Sequence, residues 1–486
     1  MSSPSRNSLS GPVTLLSAVE QLAMLRARNI SPLELAEEHI RQIERLNPSL
    51  RAFADFDAER VRDQARELTR AAEKSPARGP LFGLPMTIKS SIAVAGHRCE
   101  NGSLLQRGQI PTEDAVAVAQ LRQAGAIILG TTNCPEFLMA YETDNLLYGR
   151  TANPWDAART AGGSSGGESA AIAAGLSAAG LGSDSGGSVR LPAHFTGICA
   201  LKPTPGRLSS WGHLLPCVGP FSSLGSIGPM ARTVGDVALL FQTLSGSDVA
   251  DPIAAPVPLR TPSLHDLQKI SIGYFEDDGL VPVTPETRAA VQSAVAALQR
   301  RGFRVLPFRP QGLEEAHQLW WKFFVQCGAM FLAPLLEGRA EPLSPTFLNF
   351  LEIARSQPPL SAQALLEAWA ECDLLRRKVL AQMQEFSILL CPVCSIPAFR
   401  HGERAWKVEG QSVAYLDAMR YTQWFNLLAL PAVVVPAGRS LEGLPIGVQI
   451  AGRPYDDEIV LAIAAALEQE LGQKFAPPIA SDVPPA

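Results

Sequence analysis

Residues 162–193 read GGSSGGESAAIAAGLSAAGLGSDSGGSVRLPA, and the fold is read outward from them. Two glycine-serine clusters punctuate the stretch, GGSSGG at 162–167 and SDSGGS at 183–188. Between them, residues 169–181 form an alanine-rich apolar run with almost no polar side chain, which predicts a buried core helix. Glycine lets backbone approach a ligand closely and turn its N–H groups inward. Two such turns joined by one buried segment predict a preorganised site, with hydroxyls and main-chain donors aimed at one point.

Composition sets the broad class. A chain of 486 residues is long enough for about three domains of ~150 residues, or for one large α/β domain. Apolar residues at 46% and charged residues at 18% describe a globular enzyme with a sizeable core. The net charge of −5 and the lack of a basic stripe argue against nucleic acid as a partner. The N-terminus has no charged start followed by an apolar region, so no signal peptide is expected. No apolar run reaches ~18 residues without charge, so no membrane span is expected, and a cytoplasmic location follows. The eight cysteines are irregularly spaced, as free thiols in a reducing compartment would be. Cys391 and Cys394 form one CxxC with no second pair nearby, and no histidines stand at ligand spacing, so no metal site is read.

Either side of the clusters, the periodicities alternate between helix and strand. Residues 13–28 are amphipathic. Ser31-Pro32 with Glu34 is a capping box opening a second helix that ends near Asn47-Pro48. A charged third helix is predicted over 58–73. Residues 80–88 read as a buried strand delivering Lys89 at its end. A helix over 114–124, a strand over 126–130 and a polar loop over 131–148 follow. Residues 201–207 read as a turn, and 225–230 lead into a helix that starts near Thr233. The proline-rich stretch 249–263 reads as a linker. A strand over 269–274, a helix over 284–301 and a strand over 303–307 have βαβ spacing. Residues 312–383 are helical and rich in large aromatics, including Trp320, Phe324, Phe331 and Phe350. Late strands are predicted over 388–393, 432–435 and 446–450, then a closing helix over 458–471.

Several chemistries compete for the clusters. A phosphate-binding P-loop requires a lysine after its last glycine, and neither cluster has one. A dinucleotide fingerprint requires a strand ahead of its glycines. Residues 163–167 match GxSxG with Ser165 at the centre, yet the preceding NPWDAARTA is not the strand a nucleophile elbow needs. His194, just past the second cluster, reads as a structural histidine. A serine nucleophile still needs a base, and a lysine can serve if burial suppresses its charge. Lys89, ending an apolar strand and followed by Ser90 and Ser91 rather than a carboxylate, meets that condition.

With these residues in view, the chain resembles the amidase signature family. The resemblance rests on residues 162–193, including Ser164, Asp184, Gly186, Ser188, Arg190 and Pro192. It extends to GLPMTIK ending at Lys89, AGAIILGTTNCPEF, YGRTANPWD, LKPTPGRLS, GPMARTVGD at 228–236 and LPIGVQIAG at 444–452. It is weakest from about 249 to 387. Two departures stand out: Ser90 replaces the usual aspartate after the lysine, and Thr131 replaces a lysine. GGES at 166–169 is similar to the hydrolase branch of the family.

The resemblance implies one α/β/α domain around a mixed, twisted sheet. Its parts would be an N-terminal helical part over 1–76, a catalytic core over 80–245, a partly helical insertion or lid over 249–387 and a C-terminal part of the core over 388–475. It implies amide hydrolysis through an acyl-enzyme, with Ser188 as nucleophile, Ser164 as bridging serine after a cis peptide, and Lys89 as base. The main-chain N–H groups of Ser185, Gly186, Gly187 and Ser188 would face the oxyanion. Asp184 and Arg190 would brace the loop, and Ser165 would support it or Lys89. No cofactor and no metal are implied. The expected partner is a small amide, ester or carbamate, apolar or aryl in character, with Leu138–Tyr141 and the aromatic segment as walls, and a homodimer is compatible. Rival readings are the glutamine-hydrolysing subunit of a tRNA-dependent amidotransferase and a catalytically silent scaffold.

Overall fold

The computed structural model describes residues 12–74, 79–216, 219, 221–473 and 475–481. The segment read for a signal peptide therefore lies mostly outside the described residues, as do Cys217 and the last residues of the proline-rich C-terminus.

Local rules start most helices where the sequence places them. The helix Pro32–Leu50 opens on a capping box formed by Ser31 and Glu34, and Val234–Leu244 opens on a second one formed by Thr233 and Asp236. Thr284 caps Pro285–Arg300 through the Thr287 N–H. The helix Pro32–Leu50 runs two residues past Pro48, although the missing Pro48 N–H leaves the Glu44 carbonyl without its intrahelical donor.

The strands are β1 (Phe53–Phe56), β2 (Pro85–Lys89), β3 (Ile127–Thr132), β4 (Ala179–Asp184), β5 (Cys199–Lys202), β6 (Ser226–Ala231), β7 (Ser271–Tyr274), β8 (Arg304–Pro307), β9 (Ile388–Pro392), β10 (Ala405–Val408), β11 (Gln411–Ala414), β12 (Ala432–Arg439) and β13 (Pro445–Gly452). Eleven of them form one sheet in the order β1-β3-β2-β4-β6-β5-β12-β13-β9-β7-β8, and β10 and β11 pair as a separate hairpin. The sheet is mixed. β2 lies parallel to both β3 and β4, and β7 lies parallel to β8 and β9. The pairings through β6, β5, β12 and β13 are antiparallel. Helices cover both faces, with one apolar cluster joining Leu22, Ile88, Leu181 and Leu240 and another joining Phe195, Val434, Phe425 and Trp320.

Two expectations are corrected. The run 169–181 is not one helix: Gly166–Ala173 is helical, Gly175 turns at φ +74°, and β4 begins at Ala179. Burial on both faces erases the alternation that would have marked the strand. Residues 225–230, read only as leading into a helix, hold most of β6, and the first two residues of 201–207 end β5 before the expected turn. One helical run, Leu313–Leu336, is long and apolar enough to cross a membrane by length and composition alone, although it carries Glu314, Glu315 and Lys322. Its Trp320, Phe323 and Val325 are buried in the protein.

Candidate active site

The parallel pair β2–β4 sets the site. Neighbouring strands lie about 4.8 Å apart, so Lys89 at the end of β2 and Ser183-Asp184 at the end of β4 leave the sheet side by side. The chain after β4 turns through Ser185–Ser188 into the helix Arg190–Thr196. The first cluster returns to the same place, where the Ser165 N–H donates to the Ser188 carbonyl at 3.1 Å. The two glycine-serine clusters, distant in sequence, thus become one wall.

Lys89 is fully buried. Its Nζ lies 2.6 Å from Ser164 Oγ, 3.1 Å from Ser183 Oγ and 3.5 Å from the Ser183 carbonyl oxygen. The Gly163–Ser164 peptide is cis. Ser188 opens onto the same cavity as Ser164, also lined by Phe137, Leu215, Phe221, Phe324 and Phe331. No hydrogen bond joins the Ser164 and Ser188 hydroxyls in this arrangement. A second pocket meets the first at Ser188 and is walled by Leu138, Tyr141, Trp320, Phe350 and Tyr415. Ser188 therefore sits between two largely apolar chambers, and both stretches expected as walls, 138–141 and the aromatic segment, line them.

The loop is clamped from beneath. Arg190 and Asp184 are both fully buried and form a two-pronged ion pair, Nη2 to Oδ1 at 3.0 Å and Nε to Oδ2 at 3.1 Å. Asp184 also accepts from the Gly187 N–H at 2.7 Å, the Val189 N–H at 3.1 Å and Asn426 Nδ2 at 2.9 Å. Burial alone would raise this carboxyl, but the Arg190 guanidinium and these donors outweigh it and hold the group well below the carboxylate range. Because the Gly187 N–H is committed to Asp184, it does not face the cavity as expected. The N–H groups of Ser185, Gly186 and Ser188 have no protein acceptor among the described residues.

Carbonyls of the loop are held too. Trp320 Nε1 donates to the Ser185 oxygen at 3.0 Å, and Thr422 Oγ1 and Tyr141 Oη donate to the Gly186 oxygen at 2.7 and 3.1 Å. These contacts explain the glycine pair: a Cβ at Gly186 would stand 2.5 Å from Trp320 Cζ2, and one at Gly187, where φ is +123°, 2.3 Å from Thr422 Oγ1. Sequence reasoning missed Tyr141 as a polar anchor, and also Thr422, Asn426 and His213. They come from distant segments and no spacing signals them. Ser165 supports the loop by accepting the Ser183 N–H at 3.4 Å and donating to the Ser183 carbonyl at 3.3 Å.

The remaining expected residues have ordinary structural settings. His194 accepts the Gly447 N–H at Nδ1 and faces the Ile396 carbonyl with Nε2, and burial lowers it to about 4. Ser90 lies 3.2 Å from Cys134 Sγ, and Thr131 donates to the Arg98 carbonyl at 2.7 Å, so neither departure from the family pattern touches Lys89 Nζ. Beneath the site, Glu168 is fully buried between the hydroxyls of Thr87 and Thr132, and burial raises its carboxyl to about 8.

The chain is similar to several known proteins. A family model described as Amidase matches residues 34–461. An acylamidase of Rhodococcus erythropolis is 35% identical, over 93% of this chain and 95% of its own length. A glutamyl-tRNA(Gln) amidotransferase subunit of Roseiflexus castenholzii is 34% identical, over 94% of this chain and 96% of its own length. The crystal structure of a bacterial aryl acylamidase of the amidase signature family superposes with a TM-score of 0.83 at 26% identity, covering 98% of this chain and all of that one.

Proposed function

Since the chain belongs to the amidase family of amide-hydrolysing enzymes, we propose that it cleaves the C–N bond of a small, apolar or aryl amide through an acyl-enzyme on Ser188. The observation carrying this reading is the buried Lys89 Nζ, 2.6 Å from the Ser164 hydroxyl at the rim of the cavity that Ser188 enters.

Uncharged Lys89 accepts the proton of Ser164 as Ser164 accepts that of Ser188. The Ser188 oxygen then adds to the substrate carbonyl. The negative charge that develops on the carbonyl oxygen is met by the N–H groups of Ser185, Gly186 and Ser188, where each donor contributes roughly 2.7–4 kcal/mol. The proton returns through Ser164 to the leaving nitrogen, the C–N bond breaks, and the amine departs. Water then adds to the acyl-enzyme by the same proton path and releases the acid, restoring the Ser188 hydroxyl. Rotation of the Ser188 side chain toward Ser164 closes the relay once substrate is bound, as catalytic hydrogen bonds often tighten only in the complex.

The two aromatic chambers on either side of Ser188 support an apolar acyl group in one and an apolar leaving group in the other. Esters and carbamates with the same outline fit the same chemistry. A second reading, glutamine hydrolysis within an amidotransferase, is favoured by the relative at 34% identity bearing that name; the apolar lining favours the first. A panel of anilides, fatty amides, esters, carbamates and glutamine separates them: anilides or fatty amides should exceed glutamine in kcat/KM, and glutamine as the sole good substrate would reverse the conclusion. Ser188→Ala should fold and lose hydrolysis and fluorophosphonate labelling; unchanged turnover would refute the assignment.

A further inference from the structure

Lys89 faces two hydroxyls, and only Ser164 has a place in the relay. The other, Ser183, lies between Lys89 and a histidine: His213 Nε2 is 3.0 Å from Ser183 Oγ. The same nitrogen lies 3.2 Å from Ser91 Oγ, and His213 Nδ1 lies 2.7 Å from the Leu215 carbonyl oxygen. His213 is buried and lines the cavity that Ser188 enters.

The direction of each bond follows from what the atoms can do. A carbonyl oxygen only accepts, so Nδ1 carries the hydrogen, and in a neutral ring Nε2 is left with a bare lone pair. The ring is neutral at working pH because burial, only partly opposed by the Leu215 bond, pushes its pKa down. A bare Nε2 can only accept. The hydroxyls of Ser183 and Ser91 therefore share that one lone pair as donors, Ser183 by the shorter contact, and the Ser183 oxygen turns its lone pairs toward Lys89. An uncharged amine has two hydrogens and one lone pair. With one hydrogen drawn to Ser183 Oγ, the lone pair is left for the Ser164 O–H.

We propose that His213 is a positioning residue: by fixing the Ser183 hydroxyl as an acceptor, it points the Lys89 lone pair at Ser164 and so sets the direction of the proton relay. This rests on the reading of Lys89, Ser164 and Ser188 given above. Without the imidazole acceptor, the Ser183 hydrogen is free to turn toward Lys89, where it would occupy the lone pair needed by Ser164.

Two near-isosteric replacements separate positioning from packing. In His213→Gln the side-chain oxygen reaches the place of Nε2 and can accept from Ser183. In His213→Asn the amide reaches only the place of Nδ1, so the Leu215 contact survives and the acceptor is lost. For the full-length protein on its best amide, we expect His213→Asn and His213→Leu to lower kcat by about tenfold with KM little changed, the scale of one lost hydrogen bond. His213→Gln should recover most of that loss. In a Ser183→Ala background, His213→Asn should add little. Native kcat in a folded Asn or Leu variant, a Gln variant no faster than Asn, or an undiminished Asn effect without the Ser183 hydroxyl would each overturn the inference. If His213→Leu does not fold, the Asn and Gln pair decides. Failure of the native protein to label at Ser188 would instead overturn the underlying triad, so the two failures are told apart.

Discussion

Replacing Asp184 by Asn tests how much of the site depends on the clamp beneath it. The carboxylate receives five donors, from Gly187, Val189, Asn426 and two nitrogens of Arg190. An amide of the same shape turns one oxygen into a donor. With its NH2 at the Oδ2 position, the variant opposes the Val189 N–H and Arg190 Nε and leaves a fully buried guanidinium without its counter-charge. Breaking a buried pair in this way costs about 3–5 kcal/mol. The turn over Gly187 loosens as well, so kcat should fall beyond what lost folded protein explains.

The pH dependence has a definite sign. A carboxyl depressed by folding contributes stability that is complete above its unfolded value near 4 and is lost as pH falls toward the folded value. The gap between native and variant should therefore be constant from pH 5 to 8 and narrow only below about 4. Urea midpoints by tryptophan fluorescence, with anilide turnover measured in parallel, check both effects. A variant within about 0.5 kcal/mol of native at pH 7 would show that the clamp is dispensable. Adding Arg190→Met should recover part of the loss, since replacing both partners removes the orphaned charge.

Gly186→Ala forces a methyl to 2.5 Å from the Trp320 ring, so we expect about 1–3 kcal/mol lost by overpacking and, with the N–H displaced, kcat lower by roughly 10²–10³; thermal melting and turnover read the two effects. Lys89→Met keeps the volume and removes the base, so labelling of Ser188 by a fluorophosphonate should slow by about 10² or more. Glu168 has a folded value raised by burial to about 8; its contribution is therefore complete below its unfolded value and declines as pH rises toward 8. Glu168→Gln should flatten the fall in urea midpoint between pH 5 and 8.

Legibility in the sequence followed the range of the interaction. Caps at Ser31, Thr233 and Thr284 were readable because cap and partner lie three residues apart. Lys89 stood out as a cation ending an apolar strand, and Ser164 and Ser188 through the resemblance of their clusters to a known pattern. β4 was hidden because AGLGSD lacks β-branched residues and is buried on both faces. The hairpin of β10 and β11 had a readable signal in Glu409-Gly410, whose φ values of 48° and 83° suit a two-residue turn. The polar anchors Thr422 and Asn426 and the relay neighbour His213 had none, since each meets the loop or lysine only through the folded sheet.

The indole of Trp320 sits in the helix Leu313–Trp321, far along the chain from the loop, yet it grips the Ser185 carbonyl. Anyone grafting that stretch from a relative to change which molecules are accepted would also be re-seating the turn that precedes Ser188. Chimaeras joined on either side of 313–336 should keep the tryptophan, or selectivity and rate will shift together and neither can be tuned alone.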